Sequence, residues 1–257
     1  MLDLKELYLE QLKKALMNTL NTEVPAGVVD PGRFEEITPE WFDHFWSGNA
    51  LTMCGEKKLD NLRWCIEQCL ERQVPGDLIE CGVWRGGASI FMRGVLAAHG
   101  VGDRTVWLAD SFQGLPPPPP GSLDEKMYNW DKVVEIARLA VGLDAVKSNF
   151  RRYGLLDGQV QFLAGWFQDT LPRAPVKQVA VLRVDADSYE ATTDILTHLY
   201  PKLSPGGYVI LDDWGLDNVC GEKQAALAYR RVQNIREEIV EADWQCAYWR
   251  KGAPSAV

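Results

Sequence analysis

Nowhere does the 257-residue chain string together the roughly 18 apolar residues that a membrane helix requires, so no bilayer span is expected. Basic residues are scarce: 27 Lys and Arg stand against 36 Asp and Glu, a net charge of −9. So acidic a chain repels phosphate backbones, and no basic patch offsets it, which excludes nucleic acid as an expected partner. The densest basic runs are Arg151-Arg152 and Tyr229-Arg230-Arg231, and solvated helix faces account for both. Histidine is rarer still, with three, and the six cysteines (Cys54, Cys65, Cys69, Cys81, Cys220, Cys246) contain no C-x-x-C pair. A zinc site is therefore not expected; reduced core thiols in a cytoplasmic protein are the plain reading. The start, Met1-Leu2-Asp3-Leu4-Lys5-Glu6, lacks the basic and apolar regions of a signal peptide. Ordinary globular composition remains, 46% hydrophobic and 25% charged, which argues against disorder.

Leucines at 2, 9, 12, 16 and 20 mark an amphipathic helix over residues 2–20. A Pro/Gly-rich passage from Val24 to Gly32 follows, then an aromatic stretch (Trp41, Phe42, Phe45, Trp46) and a helix over about 57–72. From there apolar strands alternate with helices. Strands are expected at 77–81, 105–109, 159–163, 178–184 and 207–211, with helices to about 98, over 189–203 and over 222–234. A final pair near 237–241 and 245–251 has no helix between its members. The pattern predicts an α/β fold: a doubly wound, mostly parallel sheet with an antiparallel hairpin at one edge. The chain divides into an N-terminal helical extension, residues 1–56, which is the acceptor or oligomer region, and one domain, residues 57–257. Leu115 to Asp131 opens with five prolines, Pro116 to Pro120, and is expected to be a stiff, exposed extension rather than an element. Loops of that length serve as lids or grip a neighbouring copy, and the first helix adds to the expectation of a homo-oligomer.

Ligands of open α/β sheets bind beyond the carboxyl ends of the strands. Four such ends carry an acid: Glu80, Asp110, Asp185 and Asp212. Any one alone reads more readily as a helix cap; four at one edge favour a crevice. The first turn, Glu80-Cys81-Gly82-Val83-Trp84-Arg85-Gly86-Gly87, has glycines that let backbone approach a ligand and free helix N–H groups to meet it. Trp84 stands where a dinucleotide fingerprint needs glycine, so NAD fits poorly. An acid ending the second strand can hold both ribose hydroxyls, and the combination suits S-adenosylmethionine, which has no phosphate. Val184-Asp185-Ala186-Asp187 and Leu211-Asp212-Asp213 end neighbouring strands. Carboxylates converging there raise each other's pKa, a conflict that a hard cation such as Mg²⁺ or Ca²⁺ resolves. Capping by Asp187 and turn formation by Asp213 form the alternative, though neither requires acids in pairs.

Longer runs carry a resemblance. They are Leu51-Thr52-Met53, Leu59-Asp60-Asn61-Leu62, Leu78 to Gly87, Asp110-Ser111-Phe112-Gln113-Gly114-Leu115-Pro116 and Gly165 to Pro172. Leu182 to Glu190, Leu199 to Gly207, Asp212-Asp213 and Trp249-Arg250-Lys251 complete the set. In that order they resemble the macrocin O-methyltransferase (TylF-type) family, which methylates sugar hydroxyls on natural products. The resemblance implies a class I S-adenosylmethionine-dependent methyltransferase fold, Rossmann-like, with a Mg²⁺ site and a small-molecule glycoside as acceptor. It implies that Glu80, Gly82, Val83, Trp84 and Gly86 hold the methionine part and sulfonium, with Thr52, Met53, Phe112 and Asp185 counted in the same cofactor set. Asp110 would hold the ribose with Ser111 beside it, and Gly165 and Trp166 would flank the adenine. Asp185 or Asp187 would bind the metal with Asp212 and Asp213, and which of the first two is the ligand stays open. The reacting centre would take its carboxylate base from the same pair. Trp214 and Ala186 depart from the family pattern, where Tyr and Gly are common, and are expected near the acceptor. A nicotinamide oxidoreductase and a non-catalytic effector-binding or scaffold protein are the rival classes. The first lacks a Tyr-x-x-x-Lys relay, and the second has no use for so costly an acid cluster.

Overall fold

The computed structural model describes residues 3–20, 49–127, 139–216 and 221–252. Helix α1 (Leu4–Leu16) starts at Asp3, whose carboxylate accepts the Lys5 and Glu6 amides and so satisfies two of the first turn's free donors. Asn18, at φ 59, adopts the left-handed conformation just beyond its end, so α1 is shorter than the expected 2–20. Helix α2 (Glu56–Glu71) leads into β1 (Asp77–Cys81), followed by α3 (Gly87–Ala98) and β2 (Val106–Asp110). Then come α4 (Leu123–Met127), α5 (Leu143–Arg152), β3 (Val160–Ala164) and the short α6 (Phe167–Thr170). The remainder is β4 (Val179–Val184), α7 (Tyr189–Leu199), β5 (Leu203–Leu211), α8 (Glu222–Val232), β6 (Val240–Glu241) and β7 (Ala247–Arg250).

These strands form one sheet in the order β3-β2-β1-β4-β5-β7-β6. Strands β1 to β5 are parallel, and β7 runs antiparallel to both β5 and β6, which is the edge hairpin the sequence pattern implies. Strand β4 is buried along its whole length because helices cover both faces. Side chains alternate across the pleat: Leu78 joins the core beneath α1, α2, α3 and α5, while Ile79 and Cys81 join the core beneath α7 and α8. Trp249 of β7 fills the second core and is fully buried. Helix α1 is part of the first core through Leu9, Leu12 and Leu16. The five cysteines among the described residues are buried and unpaired, as expected for reduced core thiols.

Several further elements differ from the expectation. Strand β5 begins at Leu203, and a shift in register against β4 absorbs Pro205, which cannot donate to a regular ladder. Helix α5 went unread, although Val146 and Phe150 are buried one turn apart. Helix α4 stands inside the segment expected to lack any element. The proline run itself is irregular, but Ser122 Oγ then accepts the Glu125 amide at 3.1 Å and starts a turn of helix. The expected helix end beyond Leu199 is a 3₁₀ turn, Tyr200–Lys202, set by Pro201. Residues 21–48, including Trp41 to Trp46, and the last four residues of the expected lid, 128–131, lie outside the described residues.

The packing of α1 makes a specific prediction. Leu16→Ala, at a fully buried position, should cost roughly 2–5 kcal/mol in urea unfolding. Leu4→Ala, on the exposed face of the same helix, should stay within about 0.5 kcal/mol of the parent.

Candidate active site

The chain winds outward from β1 through β2 to β3 and, in the other direction, from β4 to β5. The carboxyl ends of β1 and β4 therefore form the switch point where such folds bind ligands. Gly82 leaves β1 at φ +89, and a Cβ there would lie 1.6 Å from the Asp185 carbonyl oxygen, so only glycine fits. The Asp185 amide donates to the Cys81 carbonyl at 2.8 Å, and the Asp212 amide donates to Val184 at 2.9 Å, which sews the three strand ends together. Asp110 ends β2, where its carboxylate accepts the Val83 and Phe112 amides, each at 2.6 Å. Burial pushes that carboxyl up, and the same backbone amides pull against the shift. The Gly165 amide in turn donates to the Asp110 carbonyl at 2.9 Å, which brings Trp166, the N-cap of α6, to the same edge. Ser111 is turned inward, its hydroxyl donating to the Gly114 carbonyl at 2.8 Å. Leu51 accepts the Gly87 amide at 2.8 Å, so Thr52 and half-buried Met53 lie against the start of α3. Trp84 and Gly86 both have positive φ in the turn, and the Arg85 guanidinium stacks 4.2 Å from the Trp84 ring centroid.

Glu80 is different. Only 1% exposed, it gives one carboxylate oxygen to the Ser89 hydroxyl and the other to the Arg183 guanidinium. Burial pushes its carboxyl up to about 7, against the pull of Arg183 and Ser89. It therefore faces the protein's own cation rather than an open crevice.

Oxygen atoms of Asp185, Asp212 and Asp213 lie within 4.8 Å of one another, a spacing that suits one hard cation. Asp187 is outside that trio. It stands at φ 56 in the same loop, and burial, then Asp185 and Asp212, push its carboxyl up to about 7. Burial and the carboxylates of Asp187 and Glu222 hold Asp213 well above its ordinary range. At Asp212 burial acts upward too, but Arg183 and Lys58 overcome it and keep the group ionised. Lys58 Nζ lies 2.8 Å from one Asp212 oxygen, while Arg183 bridges Asp212, Asp185 and Glu80. Cys54 packs beside Arg183, and burial pushes its thiol up to about 12.

Four residues of this edge escape a reading of the sequence for acids and glycines. Arg183 and Lys58 supply the counter-charge. Glu222, fully buried at the start of α8, accepts the amides of Ala186 at 3.3 Å and Asp213 at 3.0 Å and so ties the two acid loops together. Asp124 of α4 accepts the Tyr189 amide at the start of α7. Only Arg183, lying inside a long motif, carried a signal that would have found it. Trp214 and Ala186 are both buried in the second core rather than open to a ligand.

A family model described as macrocin-O-methyltransferase (TylF) matches residues 35–251. Mycinamicin III 3''-O-methyltransferase of Micromonospora griseorubida is 46% identical over 254 residues, 96% of this chain and 97% of that protein. The 8-demethyl-8-(2,3-dimethoxy-alpha-L-rhamnosyl)-tetracenomycin-C 4'-O-methyltransferase of Streptomyces olivaceus is 46% identical over 258 residues, 99% of this chain and 96% of that one. Among solved structures, the O-methyltransferase NovP superposes with a TM-score of 0.84 at 46% identity, covering 97% of this chain and all of that one. With a strand order and a glycine turn that make a methyltransferase edge, and with relatives of this identity along almost its whole length, the chain belongs to the macrocin O-methyltransferase family.

Proposed function

We propose that the protein moves the methyl group of S-adenosylmethionine to a hydroxyl of a sugar borne by a natural product, assisted by Mg²⁺ at Asp185, Asp212 and Asp213. The carrying observation is the carboxylate crowding: Asp185, Asp187, Asp212, Asp213 and Glu222 all cluster beyond β4 and β5. Burying so many acids is costly unless cations compensate, and two protein cations, Arg183 and Lys58, offset part of it. A donor set made wholly of carboxylate oxygen favours Mg²⁺ or Ca²⁺ over zinc. The rhamnosyl group in the name of one relative supports a sugar acceptor.

S-adenosylmethionine supplies a methyl group that is already electrophilic, so the protein's task is mainly alignment. Asp185, Asp212 and Asp213 would hold Mg²⁺, which would supply Lewis acidity toward a sugar hydroxyl. The turn from Gly82 to Gly86, held to Asp110 through the Val83 amide, offers the close backbone approach that the cofactor requires. Arg183 and Lys58 keep Asp212 ionised before any cation arrives. Asp187, poised near 7 and outside the trio, is suited to accept the hydroxyl proton as general base. Labelled S-adenosylmethionine, offered with sugar-bearing natural products in the presence and absence of EDTA, tests the whole assignment. Full activity in EDTA would defeat the metal-assisted reading.

Two further outcomes are expected. Asp213→Asn should lose roughly a hundredfold or more in turnover and also the Mg²⁺-induced rise in melting temperature, while affinity for S-adenosylhomocysteine, measured by calorimetry, stays unchanged. Asp187→Asn should lose about 10²–10⁴ in turnover yet keep the Mg²⁺ thermal shift, since it leaves the trio intact.

A dependence on pH follows from the same carboxyl. Asp187 has a folded-state value near 7 and an unfolded one near 4, so it holds its proton more tightly when folded. Its contribution to stability is full below pH about 4 and is lost as pH rises through about 7. Asp213, a member of the trio, is likewise held well above its ordinary range, so Mg²⁺ should raise the melting temperature strongly at pH 8 and little at pH 5, where protons compete for the ligand. An equal shift at both values would contradict this.

A further inference from the structure

The insertion after β2 has an anchor. Most of residues 113–126 is exposed or half-buried, but Asp124 is 1% exposed. Both of its carboxylate oxygens accept the Tyr189 amide, at 2.9 and 3.0 Å, and its carboxyl also hydrogen-bonds Glu190. Ser188 Oγ accepts the Ala191 amide, so Ser188 and Asp124 together satisfy the first turn of α7 from two directions. Gly221, the N-cap of α8, closes the junction: a Cβ there would lie 2.4 Å from Asp124 Oδ1 and 2.7 Å from Tyr189. Three loops of the carboxyl edge therefore meet on one carboxyl group: the insertion after β2, the Asp185–Ser188 loop and the chain that enters α8. Two residues before Tyr189 stands Asp187, left-handed at φ 56 and within electrostatic reach of Asp124. A left-handed aspartate persists where its surroundings over-determine it, and the Asp124 contact is one of those determinants.

We infer that Asp124 is a positioning residue: it fastens the insertion to the start of α7, fixes the loop that carries Asp187 and makes the segment before it one wall of the acceptor site. The inference rests on Asp187 acting near the acceptor, so the test includes readouts that do not need turnover. Asp124→Ala should expose Lys126 to faster trypsin cleavage and speed hydrogen exchange at Tyr189 and Glu190. It should lower kcat/KM for the acceptor by on the order of tenfold to a hundredfold, with affinity for S-adenosylhomocysteine unchanged. Asp124→Asn should restore most of each, because its amide both accepts from Tyr189 and donates to Glu190. Gly221→Ala, which displaces Asp124 from the other side, should reproduce the Ala variant even if that variant folds poorly. Cleavage and exchange like wild type in both Asp124→Ala and Gly221→Ala would overturn the anchor. Altered cleavage with unaltered kcat/KM would overturn the positioning role and leave the methyl-transfer reading intact.

Discussion

Everything at the carboxyl edge depends on one buried guanidinium. Arg183 lies in the middle of the sheet on β4, opposite Glu80 of β1 in register, and reaches past its own strand to Asp185 and Asp212. A cation 2% exposed is tolerable only with paired charges around it, and three carboxylates from three consecutive strands of the sheet provide them. The pairing is a consequence of register. Glu80 and Arg183 share a face only because β1 and β4 align Cys81 with Val184, and a slip of one residue would send one of them into the opposite core. Lys58 reaches the same Asp212 from α2, so one covering layer and the sheet converge on one ionic cluster. The cluster holds its acids in place independently of any ligand, which is the preorganisation that an electrostatically assisted transfer requires.

Backbone conformation divides along the same line. Among the described residues, six other than glycine have positive φ. Asn18, Gln73 and Asn234 each follow the end of a helix, where a left-handed residue is the ordinary way to stop. Trp84, Phe112 and Asp187 instead lie in the loops just beyond β1, β2 and β4. Trp84 and Phe112 lack the short polar side chain that makes the conformation cheaper for Asp187, and contacts hold all three loops: the Asp110 bonds to Val83 and Phe112, and the Glu222 and Asp124 bonds to the Asp187 loop. Strain is concentrated where a ligand would bind.

Much of this was legible in the chain. Strands β1, β2 and β4 are short apolar runs ended by acids, a pattern that depends on local sequence alone, and so are the acids themselves. The counter-charges were not legible as such. Lys58 meets Asp212 across 154 positions and Arg183 meets Glu80 across 103, and nothing local distinguishes them from a solvated lysine or an ordinary strand arginine. Glu80 is the reverse case: its place at a strand end marks it as a ligand-facing acid, while its bonds to Arg183 and Ser89 span positions that no local pattern connects. Helix α4 was hidden by its neighbours, since five prolines dominate the reading of a segment whose Ser122 and Glu125 have the spacing of a helix start.

Acceptor choice follows from what the edge leaves free. Trp214 and Ala186, the two positions that depart from the family pattern, are packed into the second core, where they act on the shape of the acid loops only through backbone position. Asp110 is hydrogen-bonded to the turn after β1, and Glu80, Asp185 and Asp212 are paired with Arg183, contacts that do not depend on the acceptor. Discrimination between acceptors must then come from surfaces that the common chemistry does not claim. On the inference drawn for Asp124, the insertion after β2 is such a surface, exposed along its proline run and pinned at Asp124 away from the ionic cluster.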